Sequence, residues 1–179
     1  MEQTDMKILC SGNPQHKTIA NGIQQVYPSA DFASRSTGYD LRFWNVGSEQ
    51  HFIDHIRNYD VFINASFVCT WGQHRLLEVT HDVWSQKQIN GHIINIGSSA
   101  ENLGIDSQFE NYTVQKKALQ KLSLMYNNKS NIKSSHVVLG GFDNGDPTHR
   151  GWLDVKTIAL TIKYVLEHDA NIPIIGLEH

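Results

Sequence analysis

Short apolar runs alternate with stretches of helical periodicity along the whole chain. The apolar runs bounded by polar or turn residues predict strands buried on both faces, at residues 7–10, 60–64, 92–96, 136–139 and 172–175. Weaker patterns predict a second strand at 30–34 and a very short third strand at 38–41. Between the strands, apolar residues recur every three or four positions, which predicts helices around 19–26, 52–56, 76–84, 114–125 and 155–166. Ser48 is the predicted N-cap of the second helix.

This alternation indicates the fold class. Near-continuous apolar strands separated by helices imply a parallel sheet covered on both faces, and right-handed crossovers make it a doubly wound α/β sheet. A length of 179 residues fits a single domain, which we assign to residues 1–176. Residues 177–179 are interpreted as the remnant of an expression tag. Because ligands bind beyond the carboxyl ends of such strands, functional residues are expected at 11–18, 35–41, 64–66, 97–99 and 140–148.

Composition narrows the possible functions. Hydrophobic residues make up 40% of the chain, enough for a sizeable core, which excludes general disorder. A net charge of −3 argues against nucleic acid as the main partner, and no apolar run reaches the ~20 residues that cross a bilayer. Cys10 and Cys69 form no disulfide framework, and the first residues lack the pattern of a signal peptide. We therefore expect a reduced, cytoplasmic protein without a membrane partner, and no spacing of a zinc site occurs.

Tyr112 and Lys116 are the first candidate catalytic residues. Their spacing puts the phenol and the ammonium on one face of a predicted helix, one turn apart. A nearby cation favours the phenolate, so Lys116 is predicted to lower the pKa of Tyr112 from its ordinary value of about 10. A general acid–base tyrosine working near neutral pH needs such a shift. Alone, however, this pair is common on surface helices.

Ser98 makes the pair more specific. Gly97-Ser98-Ser99 follows the predicted strand at 92–96, and its two serines precede Tyr112 by 14 and 13 residues. A serine hydroxyl there would hydrogen-bond a substrate carbonyl oxygen while the tyrosine protonates it. The alternative for a lone Ser-Ser after a strand is a simple turn, but the combination with Tyr-x-x-x-Lys is much rarer by accident.

In this order, the motifs resemble those of the short-chain dehydrogenase/reductase family over residues 7–175. Residues 60–66 are similar to the family's strand ending in Asn-Asn-Ala-Gly, and residues 91–98 to the strand that delivers its catalytic serine. Tyr112 and Lys116 match its Tyr-x-x-x-Lys pair. Further matches are Asp40-Leu41, where the family has an acidic residue near adenine, and Gly140-Gly141, where it usually has Pro-Gly.

The resemblance implies a Rossmann-like fold and an NAD(P)(H)-dependent oxidoreductase that acts on a small carbonyl compound or the corresponding alcohol. Tyr112 would exchange the proton, Lys116 would bind the nicotinamide ribose, and Ser98 (with Ser99 as the alternative) would orient the substrate oxygen. Arg35-Ser36 after the second strand favours NADP over NAD. The cofactor-binding residues implied are Gly12, His16, Thr18, Arg35, Ser36, Asp40, Leu41, Asn64, Ala65, Tyr112, Lys116 and Gly141.

Three features depart from the family's pattern. The first turn, residues 11–18, keeps only Gly12 of three glycines, and His16 and Thr18 stand at the other two positions. No Asn occurs between residues 71 and 85, where the family has a fourth catalytic group; Gln73 and His74 are near the right turn. The third strand is shortened to about 39–42. These departures leave open a non-catalytic, Rossmann-like binding or scaffold protein that has lost productive dinucleotide binding.

The sequence also predicts a homo-oligomer, a dimer or a tetramer. Members of the family usually pair two helices that correspond to residues 73–88 and 111–126 here. The large apolar residues in and beside these helices exceed what one sheet face needs, and an exposed patch of that kind marks an interface. They are Trp71, Trp84, Leu119, Met125 and Tyr126.

Overall fold

A computed structural model describes residues 6–40, 46–67, 71–102, 110–127 and 131–178. Within them, six strands form one sheet in the order β2-β1-β3-β4-β5-β6, and every neighbouring pair is parallel. The strands are β1 (Ile8–Ser11), β2 (Asp31–Ala33), β3 (Val61–Asn64), β4 (His92–Ile96), β5 (Lys133–Leu139) and β6 (Ile174–Leu177).

Helices cover both faces of the sheet. They are α1 (Ile19–Val26), α2 (Val46–Ile56), α3 (Gly72–Lys87), α4 (Glu110–Asn127) and α5 (Val155–Glu167). Because successive strand residues point to opposite faces, Ile8 and Cys10 enter the core under α1 and α5, whereas Leu9 enters the core under α2, α3 and α4. The predicted doubly wound α/β fold is therefore confirmed. No helix in the described ranges is long and apolar enough to cross a membrane.

Several details differ from the sequence predictions. Tyr39 and Asp40 are not in a strand, and Leu41 lies outside the described residues. The Tyr39 amide instead donates to the Ser34 carbonyl at 2.8 Å, and its ring packs edge-on against Phe52. The predicted N-cap at Ser48 is wrong, because α2 already begins two residues earlier.

The last strand begins later than predicted, at Ile174 instead of residue 172. Pro173 precedes it, and a proline has no amide hydrogen to donate to a sheet. Leu177, which the sequence analysis set apart from the domain, is the final residue of β6 and pairs with Leu139 of β5.

The strand order locates the expected ligand site. The chain winds from β1 outward to β2, then returns past β1 to β3 and continues in the opposite direction. In open parallel sheets, ligands bind where the order reverses, beyond the carboxyl ends of the strands. The loops that follow β1 and β3 therefore meet the loops after β4 and β5 at this edge.

Candidate active site

A cavity of about 340 Å³ lies at this edge of the sheet. Its walls come from the ends of β1, β4 and β5 and the residues that follow β1, β3, β4 and β5, together with the start of α1 and the first two turns of α4. Three predicted catalytic residues, Ser98, Tyr112 and Lys116, line it. Ser99, the alternative serine, does not line the cavity.

Ser98 and Tyr112 meet through their hydroxyl groups. Ser98 hydrogen-bonds the Tyr112 phenol, and the Ala100 amide donates to the Ser98 hydroxyl at 3.3 Å. Burial raises the pKa of Tyr112 above its ordinary value; the Ser98 bond lowers it in part, and the Glu101 charge adds to the rise. The predicted lowering of the Tyr112 pKa by Lys116 is therefore wrong in this structure.

Lys116 explains that difference. Its ammonium lies 5.6 Å from the centre of the Tyr112 ring and donates elsewhere, to the Ile96 carbonyl at 2.7 Å and to Gln73 Oε1 at 2.8 Å. The residue is only 3% exposed. Burial lowers the pKa of Lys116 to about 8, while the Glu101 carboxylate acts in the opposite direction. A lysine of this kind is a buried donor whose charge is sensitive to pH just above neutrality.

Gln73 is one of the two residues, with His74, that the sequence places near the turn where the family has an asparagine, and its Oε1 accepts a hydrogen bond from Lys116. Besides accepting from Lys116, its side-chain amide donates to the Asn64 carbonyl at 2.8 Å, and the Asn64 side chain donates back to the Gln73 carbonyl at 2.7 Å. This reciprocal pair fixes the start of α3 to the end of β3. The contact between Gln73 and Lys116 emerges only in three dimensions, because 43 positions of sequence separate the two residues.

Phe67 is a cavity residue that the sequence analysis did not select. Its ring meets the Tyr112 ring edge-on, with 4.8 Å between centres, and lies 5.5 Å from the Lys116 ammonium. The two adjacent aromatic rings thus both lie within 6 Å of the ammonium, a favourable cation–π arrangement. The sequence feature that could have identified Phe67 is its position directly after the Asn-Ala-Ser motif at the end of β3.

The first turn brings backbone close to the cavity at Gly12. Gly12 has a φ of +134°, in the region that favours glycine, and a Cβ there would lie 3.1 Å from Ala20 Cβ. Thr18, the N-cap of α1, uses its hydroxyl on the Asn13 carbonyl at 3.0 Å instead of capping the helix. Thr18 therefore does not cap the first amides of α1, which lie at the cavity wall. Uncapped amides at a helix N-terminus are suited to bind an anion.

The side chains of His16 and Lys17 do not line the cavity. His16 is exposed and does not line the cavity, so a side-chain contact from His16 in place of a glycine finds no support in this arrangement. The Lys17 ammonium pairs with Asp143 at 2.6 Å.

The other predicted cofactor residues fall into two groups. Gly12, Thr18 and Ala65 line the cavity with the catalytic candidates. The others do not line the cavity: Arg35 and Ser36 are exposed after β2, Asp40 is half-buried, Asn64 is buried, and Gly141 follows the cavity residue Gly140. Gly140 lines the cavity instead of Gly141, whose Cβ position is filled by the Trp152 ring at 2.2 Å. Leu41 lies outside the described residues.

The described residues contain no group of three or more His, Cys, Asp or Glu side chains that could hold a metal ion. The chemistry available at the cavity is a hydroxyl pair, a buried ammonium and a helix N-terminus. Together these can bind an anionic ligand and exchange a proton with an oxygen atom.

No protein-family model matches the chain, and no curated protein matches it. Solved structures do match. The closed form of serine dehydrogenase complexed with NADP+ is 15% identical, with a TM-score of 0.75 over 97% of this chain and 95% of that one. An alcohol dehydrogenase from the archaeon Thermococcus sibiricus, complexed with 5-hydroxy-NADP, is 15% identical with a TM-score of 0.76, covering 97% and 96%.

A third match is 4-hydroxyisoleucine dehydrogenase complexed with NADH, 17% identical with a TM-score of 0.69, covering 95% of this chain and 96% of that one. Another is described as a short-chain dehydrogenase from Streptomyces avermitilis, 16% identical with a TM-score of 0.72, covering 97% and 88%. At these identities the likeness concerns the fold. The chain has the Rossmann-like fold found in solved short-chain dehydrogenases.

Proposed function

We propose that this protein belongs to the short-chain dehydrogenase/reductase family and is an NADP(H)-dependent oxidoreductase. Its substrate would be a small carbonyl compound or the corresponding alcohol. The observation that carries the proposal is the convergence of Ser98, Tyr112 and Lys116 on one cavity at the carboxyl edge of the sheet. This is the edge at which a doubly wound sheet binds ligands.

The residues present suit a dinucleotide. Gly12 leaves room for a close approach that a Cβ would fill, and the uncapped amides of α1 suit a pyrophosphate. When bound, the nicotinamide supplies or accepts the hydride. In the direction of reduction, Ser98 would hold the carbonyl oxygen and Tyr112 would give it a proton.

Lys116 would bind the nicotinamide ribose, the role implied by the family resemblance. Its ammonium has three donors, and two of them are used by the Ile96 carbonyl and Gln73. The third N–H would serve a ribose hydroxyl.

The preference for NADP rests on Arg35 and Ser36. They follow β2 after one intervening residue, Ser34, at the sheet edge beside β1. Both side chains are exposed, and an arginine there pairs with a 2′-phosphate, whereas an acidic residue selects the free 2′-hydroxyl. The serine dehydrogenase and the Thermococcus alcohol dehydrogenase are both described in complex with NADP or a derivative of it.

A second candidate function is a binding or scaffold protein that has lost productive dinucleotide binding. It is favoured by the first turn, where the glycines are replaced and His16 lies away from the cavity. Lys116 is also buried and engaged by internal acceptors. Calorimetric titration with NADPH and NADH separates the two functions: micromolar binding, tighter for NADPH, supports the oxidoreductase. Absence of binding for both dinucleotides refutes it and favours the scaffold.

The proposed substrate class, a small carbonyl compound or the corresponding alcohol, is the one that the family resemblance implies. We also propose the reduced cytoplasm as the setting. Cys10 is a buried free thiol, and burial raises its pKa far above the ordinary value, so it is unreactive. Cys69 lies outside the described residues.

Replacing Tyr112 tests the catalytic assignment. Tyr112→Phe keeps the ring packed against Phe67 but removes the proton donor, so we expect turnover of carbonyl substrates with NADPH to fall by about 10²–10⁴-fold. NADPH oxidation followed at 340 nm over a panel of aldehydes and ketones measures it. The matched control is Tyr164→Phe on α5, an exposed tyrosine away from the cavity. Full activity in Tyr112→Phe would refute the role of the phenol.

A further inference from the structure

Behind the cavity wall, Glu101 and His136 form a fully buried pair. His136 Nε2 lies 3.0 Å and 3.1 Å from the two carboxylate oxygens of Glu101, and both side chains are 0% exposed. Gln120 of α4 donates to the same carboxylate at 3.1 Å. Among the described residues, His136 Nδ1 has no hydrogen-bond partner. Glu101 is therefore what holds the imidazole in place.

The pair is attached to Ser98 through the backbone. Glu101 is in the short 3-10 turn of residues 99–102, and its amide donates to the Ser98 carbonyl at 2.9 Å. His136 is in β5, which is firmly paired on both sides. The carboxylate thus connects the turn that carries Ser98 to the rigid centre of the sheet.

Gly97 makes this approach possible. A Cβ at Gly97 would lie 2.2 Å from His136 Nε2 and 3.0 Å from Glu101 Oε2. Real side chains do not tolerate the first of these separations, the second is tight, and both atoms belong to fully buried side chains. Gly97, which precedes Ser98, is therefore required for the close approach of the Glu101–His136 pair as well as for the turn.

The charge of Glu101 reaches the catalytic candidates. It raises the pKa of Tyr112, on which burial has the larger effect, and it raises the pKa of Lys116 against the lowering caused by burial. The groups that face the carboxylate are His136 from β5 and Gln120, Tyr112 and Lys116 from α4.

We infer, on the basis of the proposed function, that Glu101 is a positioning residue: anchored by His136 and bonded through its amide to the Ser98 carbonyl, it fixes Ser98 against Tyr112. Two variants separate the charge of Glu101 from the length of its side chain. Glu101→Gln keeps an oxygen acceptor for His136 and removes the charge. Glu101→Asp keeps the charge and shortens the side chain by one methylene, so the carboxylate no longer reaches His136.

The ionisation of Tyr112 is measured first, in the protein without dinucleotide, by NMR of chains labelled with 13Cζ-tyrosine; Tyr112→Phe assigns the signal. We expect Glu101→Gln to titrate at lower pH than the wild type. The matched control is His92→Gln, another buried histidine on a neighbouring strand, which should leave the Tyr112 midpoint unchanged. An unchanged midpoint in Glu101→Gln overturns the inference.

Turnover is measured second, with circular dichroism to verify that each variant is folded. Because small displacements of a reacting group cost up to about a hundredfold in rate, Glu101→Asp should lower kcat by about ten- to a hundredfold, with a smaller effect on the KM for NADPH. An unchanged kcat in Glu101→Asp overturns the positioning role, even if Glu101→Gln does not fold. A shifted Tyr112 midpoint in a protein that binds no dinucleotide refutes the proposed function and leaves the Glu101–Tyr112 coupling standing.

Discussion

His92 and Ser135 illustrate how single polar residues are accommodated inside this sheet. His92 Nε2 lies 2.8 Å from the Ser135 hydroxyl, which donates in turn to the Ile172 carbonyl at 2.5 Å. Burial, with a smaller contribution from the charge of Lys133, lowers the pKa of His92 to about 4. The imidazole is therefore neutral in the folded protein at pH values at which it is protonated in the unfolded chain.

This shift predicts acid sensitivity. Between pH 6.5 and 4 the unfolded chain binds a proton at His92 that the folded protein does not, so the free energy of unfolding should fall as the pH falls through that window. One pKa unit corresponds to about 1.4 kcal/mol, so the loss from this residue should be about 2–3 kcal/mol. Urea denaturation at a series of pH values, compared with His92→Gln, measures it.

The variant should lose less stability between pH 6.5 and 4 than the wild type. Part of the acid sensitivity should remain, because burial also lowers the pKa of His74 to about 4. Parallel stability curves for the two proteins would contradict the prediction.

At the scale of elements, the contact between α1 and α5 depends on one small residue. Gly22 faces the first turn of α5, and a Cβ there would lie 2.1 Å from the Val155 carbonyl oxygen. Since this neighbour is backbone, only a shift of one helix against the other could relieve the clash. The same helix α1 presents its N-terminal residues to the cavity, so its placement matters for both stability and binding.

Gly22→Ala should therefore destabilise the protein despite the higher helix propensity of alanine. We expect a loss of about 1–3 kcal/mol, the usual cost of overpacking, with weaker NADPH binding under the proposed function. Chemical denaturation and calorimetry measure the two effects. Gly176→Ala is the control, because nothing lies within 4 Å of its Cβ position. Equal stability of the two variants would show that α1 and α5 have room to adjust.

At the scale of the whole molecule, the exposed apolar surface available for the predicted oligomer is smaller than the sequence indicated. Trp84 and Leu119 are fully buried in the protein's own core, so they cannot contribute to an interface. Trp71 at the start of α3 is 45% exposed, and Met125 in α4 is 50% exposed; Val114, also in α4, is 38% exposed. Large apolar side chains on this side therefore remain uncovered in a single chain.

We predict a homodimer through this side, with a mass by light scattering of about twice the 20.3 kDa of one chain. Met125→Lys should shift the mass toward that of one chain, because a charge in an apolar interface is costly. Leu160→Lys on α5, a site of similar exposure on the opposite face, is the control. A mass of one chain for the wild type would contradict the prediction, and dissociation only by Leu160→Lys would place the interface elsewhere.

The sequence by itself determined the fold class and most of the elements, because apolar periodicity is local and each strand and helix carries its own pattern. It also selected Ser98, Tyr112 and Lys116, since their spacing is visible within one strand, one turn and one helix. Element ends were less determined. Helix α2 starts before Ser48, and the segment at Tyr39 packs as a turn, because packing against distant residues decides such boundaries.

Only the tertiary structure decided the electrostatics of the cavity. Lys116 hydrogen-bonds Gln73, which is 43 positions away in the sequence, and His136 hydrogen-bonds Glu101, which is 35 positions away. A pKa depends on the water, charges and hydrogen bonds around a group, and folding brings these together from separate elements. For that reason the sequence could propose that Tyr112 and Lys116 belong together, but the raised pKa of the phenol and the buried carboxylate behind it required the folded chain.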